Sequence, residues 1–201
     1  MHNISLVTLT KNVDYCIGRM ISSVSQHVKE IVVIDTYSTD NTIKVIKDIR
    51  PDVIVLQKEF DNFSSLLNFG IKHTKQDWIL VLDADETIIE EDWKLFGDLF
   101  TQTQTDGYRI PRKHWQELEM KNWYQEEHWY PNYADRLFKN NGVIQYKNYV
   151  HPVLIGCKEL IIVPNQLHIQ HFNRVYNTPE IIKAKETLYH SLLAQQERDT
   201  K

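Results

Sequence analysis

Residues 79–87 read Ile-Leu-Val-Leu-Asp-Ala-Asp-Glu-Thr, an apolar run that ends in three carboxylates. Asp83 and Asp85 are one residue apart, so in an extended strand end both side chains point to one side and Ala84 to the other. Such a pair supports three chemistries. An aspartate can cap a following helix, and Glu86 and Thr87 then open that helix. One carboxylate can act as a nucleophile with the other as acid/base. Both can also hold Mg2+ or Mn2+, hard ions that bridge protein oxygens to phosphate oxygens and neutralise a departing diphosphate. A cap needs one acid, and this strand end carries three.

Further polar clusters follow other apolar runs. Thr8, Thr10, Lys11 and Asn12 succeed the first, and Asp35 to Thr39, including Ser38, succeed the second. In open parallel sheets ligands bind outside the carboxyl ends of the strands, so these clusters and Asp83–Glu86 share one rim and delimit a crevice. The chain has only six glycines and contains neither G-x-G-x-x-G nor G-x-x-x-x-G-K-[ST], which argues against dinucleotide oxidoreductases and P-loop enzymes. A diphosphate in the crevice would then be held through a divalent cation.

The elements that position these residues follow from periodicity. Residues 4–9, 30–36, 52–57 and 77–83 read as strands, and 14–26, 38–49 and 62–74 as helices, with Asp14 the expected N-cap of the first. Strands alternating with helices predict an α/β fold whose mostly parallel sheet is flanked by helices, and continuous apolar strands fit burial on both faces. Beyond residue 104 the alternation stops. Residues 114–133 are aromatic and aperiodic, short strands are expected at 135–139, 142–146 and 159–164, and Thr178 with Pro179 opens a last helix over 178–197. The expected division is a nucleotide-binding half at 1–104, an acceptor-side half at 105–175 and a terminal helix with polar tail at 176–201.

Composition narrows the classes. The 201 residues are 42% hydrophobic and 25% charged, enough for a sizeable core. A formal net charge of −4 argues against nucleic-acid binding by phosphate neutralisation. Cys16 and Cys157 have no metal-ligand spacing and fit a reducing compartment. With no basic leader and no run of 18 apolar residues, the expected location is cytoplasmic, with peripheral contact at the inner face of a membrane left open.

Taken in order, "SLVTLTKN", "EIVVIDTYSTDNT", "DNFSSLLNFGIKHTKQDWILVLDADE", "YPNYADRLFKNNGVIQYKNYVHP" and "HIQHF" resemble the glycosyltransferase family 2 enzymes of GT-A fold. The style is that of small bacterial lipopolysaccharide-core transferases and bacteriocin S-glycosyltransferases. This resemblance implies a nucleotide-sugar donor, usually a UDP-sugar, Mn2+ or Mg2+, and inversion by direct attack of an acceptor, whether glycan, lipid-linked sugar or peptide. It implies that Thr8, Thr10, Asn12, Asp35 and Ser38 frame the nucleotide. Asp83 would contact ribose or metal, Asp85 would bind the metal, and His171 would complete the metal or diphosphate contact.

An acid shortly before an arginine in the acceptor lobe makes Asp135 the expected general base, with Glu126 or Glu127 as alternatives. Arg136, His151 and Trp129 would contact the acceptor or donor sugar, Trp129 within an aromatic platform. Relatives commonly carry Arg-Asn at Leu67–Asn68 and Val-His-Glu at Val150–His151–Pro152, so two charges of the pattern are absent. Two other readings stay open: a phosphatase of haloacid-dehalogenase type with Asp83 as nucleophile, and a catalytically silent nucleotide-sugar binder.

Overall fold

A computed structural model describes residues 1–99, 104–163 and 166–200. The first half alternates as the apolar runs require: β1 (His2–Thr10), α1 (Ile17–Val24), β2 (Val28–Asp35), α2 (Thr42–Ile49), β3 (Ile54–Gln57), α3 (Phe63–Ile71) and β4 (Trp78–Val81). There follow β5 (Glu86–Thr87), α4 (Glu90–Leu99), β6 (Gly107–His114), β7 (Asn132–Lys139), β8 (Gln145–Lys147), β9 (Val153–Ile155), β10 (Leu160–Ile162), β11 (Ile169–His171), α5 (Asn173–Tyr176) and α6 (Pro179–Asp199).

Among the described residues nine strands form one sheet, in the order β3-β2-β1-β4-β7-β6-β11-β5, with β10 also on β6. Strands β3, β2, β1 and β4 are mutually parallel, as crossover helices demand. Strand β7 then runs antiparallel between β4 and β6. The sheet therefore continues from the first half of the chain into the second. The boundary expected near 104 adjoins residues 100–103, which lie outside the described residues, as does Pro164 at the end of the 159–164 strand.

Both faces are covered. Ile4 and Leu6 of β1 with Leu80 of β4 pack under α1 and α4, whereas Val7, Ile79 and Val81 pack against α3 and the β8–β9 hairpin. This alternation explains why the strands read as unbroken apolar runs. Gly70 lets α3 lie close on the sheet, because a Cβ there would collide with the Ile34 side chain. Asn68 fastens the same helix to β8: its amide donates to the Tyr146 carbonyl and accepts from the Tyr146 N–H, both at 2.8 Å. Leu67 beside it is buried in the α3 core.

Three local expectations are corrected. Asp14 does not cap α1, which begins three residues later after Cys16. Its carboxylate instead accepts from the Asn41 N–H at 3.3 Å, and its N–H donates to Asp40, so the acid stitches two loops together. Strand β4 stops at Val81, and Ala84–Asp85 form a turn rather than an extended end. Glu86 and Thr87 do not open a helix: they pair antiparallel with His171 and Gln170, and α4 starts only at Glu90. Backbone partners offered by β11, more than 80 residues away, win over local helix preference. The expected start at Thr178 does form, its side chain accepting from the Ile181 N–H, and Asn62 caps α3 in the same way, accepting from the Ser65 N–H.

Candidate active site

The crevice wall is built where β1 and β2 end. Asp35 is completely buried, and its carboxylate accepts from Thr10 Oγ1 at 2.9 Å, Ser38 Oγ at 2.6 Å and the Ser38 N–H at 2.9 Å. Asn12, in the left-handed region at φ 51°, donates its N–H to Ser38 Oγ and accepts from the Thr39 N–H through Oδ1. Thr8 lies deeper on β1, its buried hydroxyl without a partner among the described residues. The expected nucleotide-framing residues Thr10, Asn12, Asp35 and Ser38 are thus one network in which Asp35 organises the two loops.

Across the rim, the aspartate turn is closed by reciprocal bonds. The Glu86 N–H donates to the Asp83 carbonyl and the Asp83 N–H to Glu86 Oε2, each at 3.0 Å. Glu86 is fully buried and its Oε1 accepts from Arg136 at 2.9 Å and Arg112 at 3.1 Å. The same Arg136 nitrogen reaches Asp83 Oδ2 at 2.5 Å. Burial alone would raise the Glu86 pKa, but Arg136 and then Arg112 overcome it and hold the carboxyl well below its usual range. Burial likewise opposes the charge of Arg136, and Asp83 and Glu86 keep its guanidinium firmly protonated.

A bulge delivers that arginine. Along the β6–β7 ladder Tyr108 faces Leu137 and Arg109 faces Asp135, so Arg136 has no residue opposite it. The extra residue bends β7 and re-aims one side chain, a use bulges commonly have beside active sites. Asp135, its neighbour, is held separately: Oδ1 accepts from Arg109 Nε at 2.8 Å and Oδ2 from the Leu154 N–H at 3.4 Å. Tyr146 donates its hydroxyl to the Asp135 carbonyl at 2.6 Å.

Asp85 points to His171, whose Nε2 stands 3.5 Å from Asp85 Oδ1. Burial would raise the Asp85 pKa, but the imidazole beside it keeps the carboxyl low. His171 Nδ1 lies 3.0 Å from His114 Nδ1, and His114 Nε2 is buried without a partner. Burial, then His171, pushes His114 down to about 4. His114 is therefore neutral near pH 7, and its Nδ1 can accept a hydrogen bond from a His171 Nδ1–H. In that tautomer His171 Nε2 carries a lone pair that a metal ion could use.

Among the described residues no three His, Cys, Asp or Glu side chains gather as a closed metal cluster. Asp85 with His171 nevertheless suits an ion of the Mg2+ type, which takes one or two carboxylates and completes its sphere with substrate phosphates and water. Asp83 sits at the same turn with its second oxygen free of Arg136.

The acceptor-side residues are spread out. Trp129 stacks on Tyr124 at 4.9 Å, meets His114 at 5.2 Å and lies under the Arg174 guanidinium at 5.2 Å. Trp115 donates its indole N–H to Gln170, and Trp123 packs edge-on against Tyr130. His151, at φ 49°, meets the ring of Tyr189 from α6 at 5.6 Å. Glu126 and Glu127 are exposed. Sequence reasoning missed Glu86, Arg112 and His114. A third acid at a strand end was the available signal, since burying it requires a cation that only the folded chain supplies.

The sequence model of the family described as Glycosyl transferase family 2 matches residues 5–161. The chain belongs to that family. This family 2 chain is 33% identical over 108 residues to an uncharacterized glycosyltransferase of Rickettsia prowazekii, covering 54% of the chain and 36% of the relative. It is 37% identical over 76 residues to the SPbeta prophage-derived glycosyltransferase SunS of Bacillus subtilis, covering 37% of the chain and 18% of SunS. The chain thus spans about a third, or less, of the length of these relatives. Among solved structures, S. aureus TarS in complex with UDP superposes with a TM-score of 0.63 at 15% identity, covering 84% of this chain and 60% of that one. That likeness establishes the GT-A fold. With the family shown, the phosphatase alternative loses its support.

Away from the aspartate turn, Gln170 projects from the opposite face of β11 to His171 and donates to the buried carboxylate of Asp92 at 3.0 Å. Burial pushes the Asp92 carboxyl up to about 6, and the Gln170 bond offsets this only in part. A raised acid pKa means the folded state binds the extra proton between about pH 4 and 6, so stability falls as pH rises through that window. Replacing Asp92 with Asn is expected to raise stability by roughly 1–3 kcal/mol at pH 7.5 and to leave it nearly unchanged at pH 4. Urea unfolding at the two pH values measures this, and an equal effect at both would contradict it.

Proposed function

We propose that this chain moves a sugar from a UDP-type nucleotide-sugar donor to a glycan, lipid-linked sugar or peptide acceptor, with inversion and with Mn2+ or Mg2+ at the aspartate turn. The observation that carries the reading is the placement of Asp85 and His171, 3.5 Å apart, on the same rim as the Thr10–Asp35–Ser38 network. Such a rim accommodates a nucleotide along the loops and its diphosphate at the turn. A UDP donor is supported by the S. aureus TarS structures, which share the fold and were solved with UDP and UDP-GlcNAc.

In this proposal Asn12 and the loops braced by Asp35 seat the nucleotide. Asp85 and His171 hold the metal ion, with Asp83 beside them, and the ion supplies charge neutralisation for the diphosphate. Arg136 keeps Asp83 and Glu86 in place and fixes the turn. Asp135 is the proposed base, taking a proton from the acceptor once Arg109 yields its oxygen, and Trp129 and His151 line the acceptor side. No helix of the described residues is long and apolar enough to cross a membrane. A cytoplasmic site of action at the inner membrane face is part of the proposal.

Thermal unfolding with UDP, in the presence and absence of Mn2+, tests the reading. With both present at about a hundredfold excess over Kd, Tm is expected to rise by roughly 5–10 °C, and by much less without the metal. No metal-dependent shift with any nucleoside diphosphate would sink the proposal. Binding without consumption of any UDP-sugar across a broad acceptor panel would favour the silent binder.

A further inference from the structure

We propose that a cavity on the opposite face of β11 from His171 is a saccharide-binding site, separate from the aspartate turn, in which the Trp115 indole and the Asp92 carboxylate hold a neutral sugar. The inference goes beyond the nucleotide-sugar reading and does not depend on its donor or its metal.

Three stretches of chain enclose the cavity: the start of α4 with Ile89 before it, the end of β6 with Trp115 and Met120 beyond it, and the approach to β11 through His168 and Gln170. Its volume is about 470 Å3, and small-molecule sites run from roughly 300 to 1,000 Å3. Side chains alternate along a strand, so Gln170 turns into the cavity while His171 turns to His114 and Asp85. Their partners across the ladder divide the same way, Lys113 lining the cavity and His114 standing with His171.

One amide sets the geometry. Gln170 accepts from the Trp115 indole N–H at 2.8 Å and donates to Asp92 Oδ2 at 3.0 Å, which fixes the ring and the carboxylate relative to each other. Gln170, Asp92 and His168 are all more than nine-tenths buried, so the arrangement is in place before any ligand arrives. A carboxylate has about four acceptor sites, and Asp92 receives two donors, the Gln170 amide and the His168 N–H. It has no ion-pair partner among the described residues. Lys113 is engaged elsewhere, its ammonium 5.3 Å from the centre of the Trp123 ring. A buried carboxylate without a cation weakens the fold, and hydroxyl donors from a ligand in the cavity offset that cost.

The lining also selects the ligand. Asp92 and Glu91 outnumber Lys113, which disfavours phosphates and other anions, while the ammonium in the same lining disfavours a cation. What fits is a neutral molecule with hydroxyl donors on its edge and an apolar face. A pyranose has both, the hydroxyls for Asp92 and His168 and the C–H face for Trp115, Met120 and Ile89. Glu91 and Gln166 at the lining are exposed, so the cavity opens to solvent and a seated sugar can continue into a longer chain.

Saturation-transfer NMR and titration calorimetry on the full chain test this with glucose, galactose, mannose and N-acetylglucosamine, and with cellobiose, lactose and chitobiose. At least one is expected to bind with millimolar or tighter Kd. Asp92→Asn keeps the shape of the side chain and should weaken that sugar by about fivefold or more, because a hydrogen bond to a charged acceptor is the stronger one. Trp115→Ala should weaken it by about tenfold or more, and if that variant does not fold the Asp92→Asn result decides. Asp85→Ala should leave the sugar Kd within about twofold. A disaccharide that binds more tightly than its monosaccharide identifies a glycan chain as the source, and equal affinity a free sugar; both agree with the site. Binding of none of these sugars, or an unchanged Kd in Asp92→Asn, would overturn the inference. So would loss of binding in Asp85→Ala, which would put the sugar at the aspartate turn.

Discussion

Glu86→Gln is expected to destabilise the folded protein by about 3–5 kcal/mol, the cost of leaving buried cations without their carboxylate. For a chain of this size that is a fall in Tm of roughly 6–20 °C. Glu86 is fully buried and binds both Arg136 and Arg112, so the neutral amide leaves two guanidinium groups facing an uncharged oxygen. The pH dependence carries a sign. A folded-state pKa held below the ordinary 4.5 means the stabilisation is present above that value and is lost as pH falls below it. Glu86→Gln should therefore flatten the acid limb of the stability profile. Calorimetry from pH 3 to 7 reads both effects, and a loss under about 1 kcal/mol at pH 7 would remove Glu86 from the centre of the turn. A double substitution with Arg136→Met should recover part of the loss, because the orphaned charge goes with it.

The second large effect is expected at Asp85. Asp85→Ala should abolish the Mn2+-dependent part of UDP binding and lower turnover at least about a hundredfold, with Tm nearly unchanged in the absence of ligand. Asp135→Ala should behave in the opposite sense, sparing UDP binding and reducing turnover by about 10²–10⁴, the range expected for a general base. Calorimetry and an assay of UDP release separate the two. Full turnover in Asp135→Ala would dismiss that base assignment, and Glu126 and Glu127 would be the next to substitute. Metal-dependent UDP binding intact in Asp85→Ala would remove the metal from the aspartate turn.

Much of the first half of the chain was legible because it rests on local signals. Apolar runs covered on both faces and helical spacing between them depend on neighbours a few residues away, as does the Thr178 cap of the terminal helix. Glu86 shows where that legibility stops. Its letter beside Asp85 fits a helix start, and only pairing with His171 turns it into a strand residue. Its charge is decided by Arg112 and Arg136, 26 and 50 residues along the chain. Asp14 failed as a cap for the same reason: a partner in the next loop competed for its carboxylate. Of the apolar residues of α6, Ile182 and Leu192 are partly or fully buried while Ile181, Leu188 and Leu193 are exposed, a choice that only packing against the body makes.

The sequence by itself determined the alternation of strands and helices as far as β4 and the rim on which polar residues collect, since both are written in periodicity and short spacing, and the family through motifs that resemble it in order. Only the tertiary structure decided which acid is paired with buried arginines and which stands beside a histidine. That division is electrostatic: Glu86 is paired with two arginines and committed to the fold, whereas Asp85 has only an imidazole beside it.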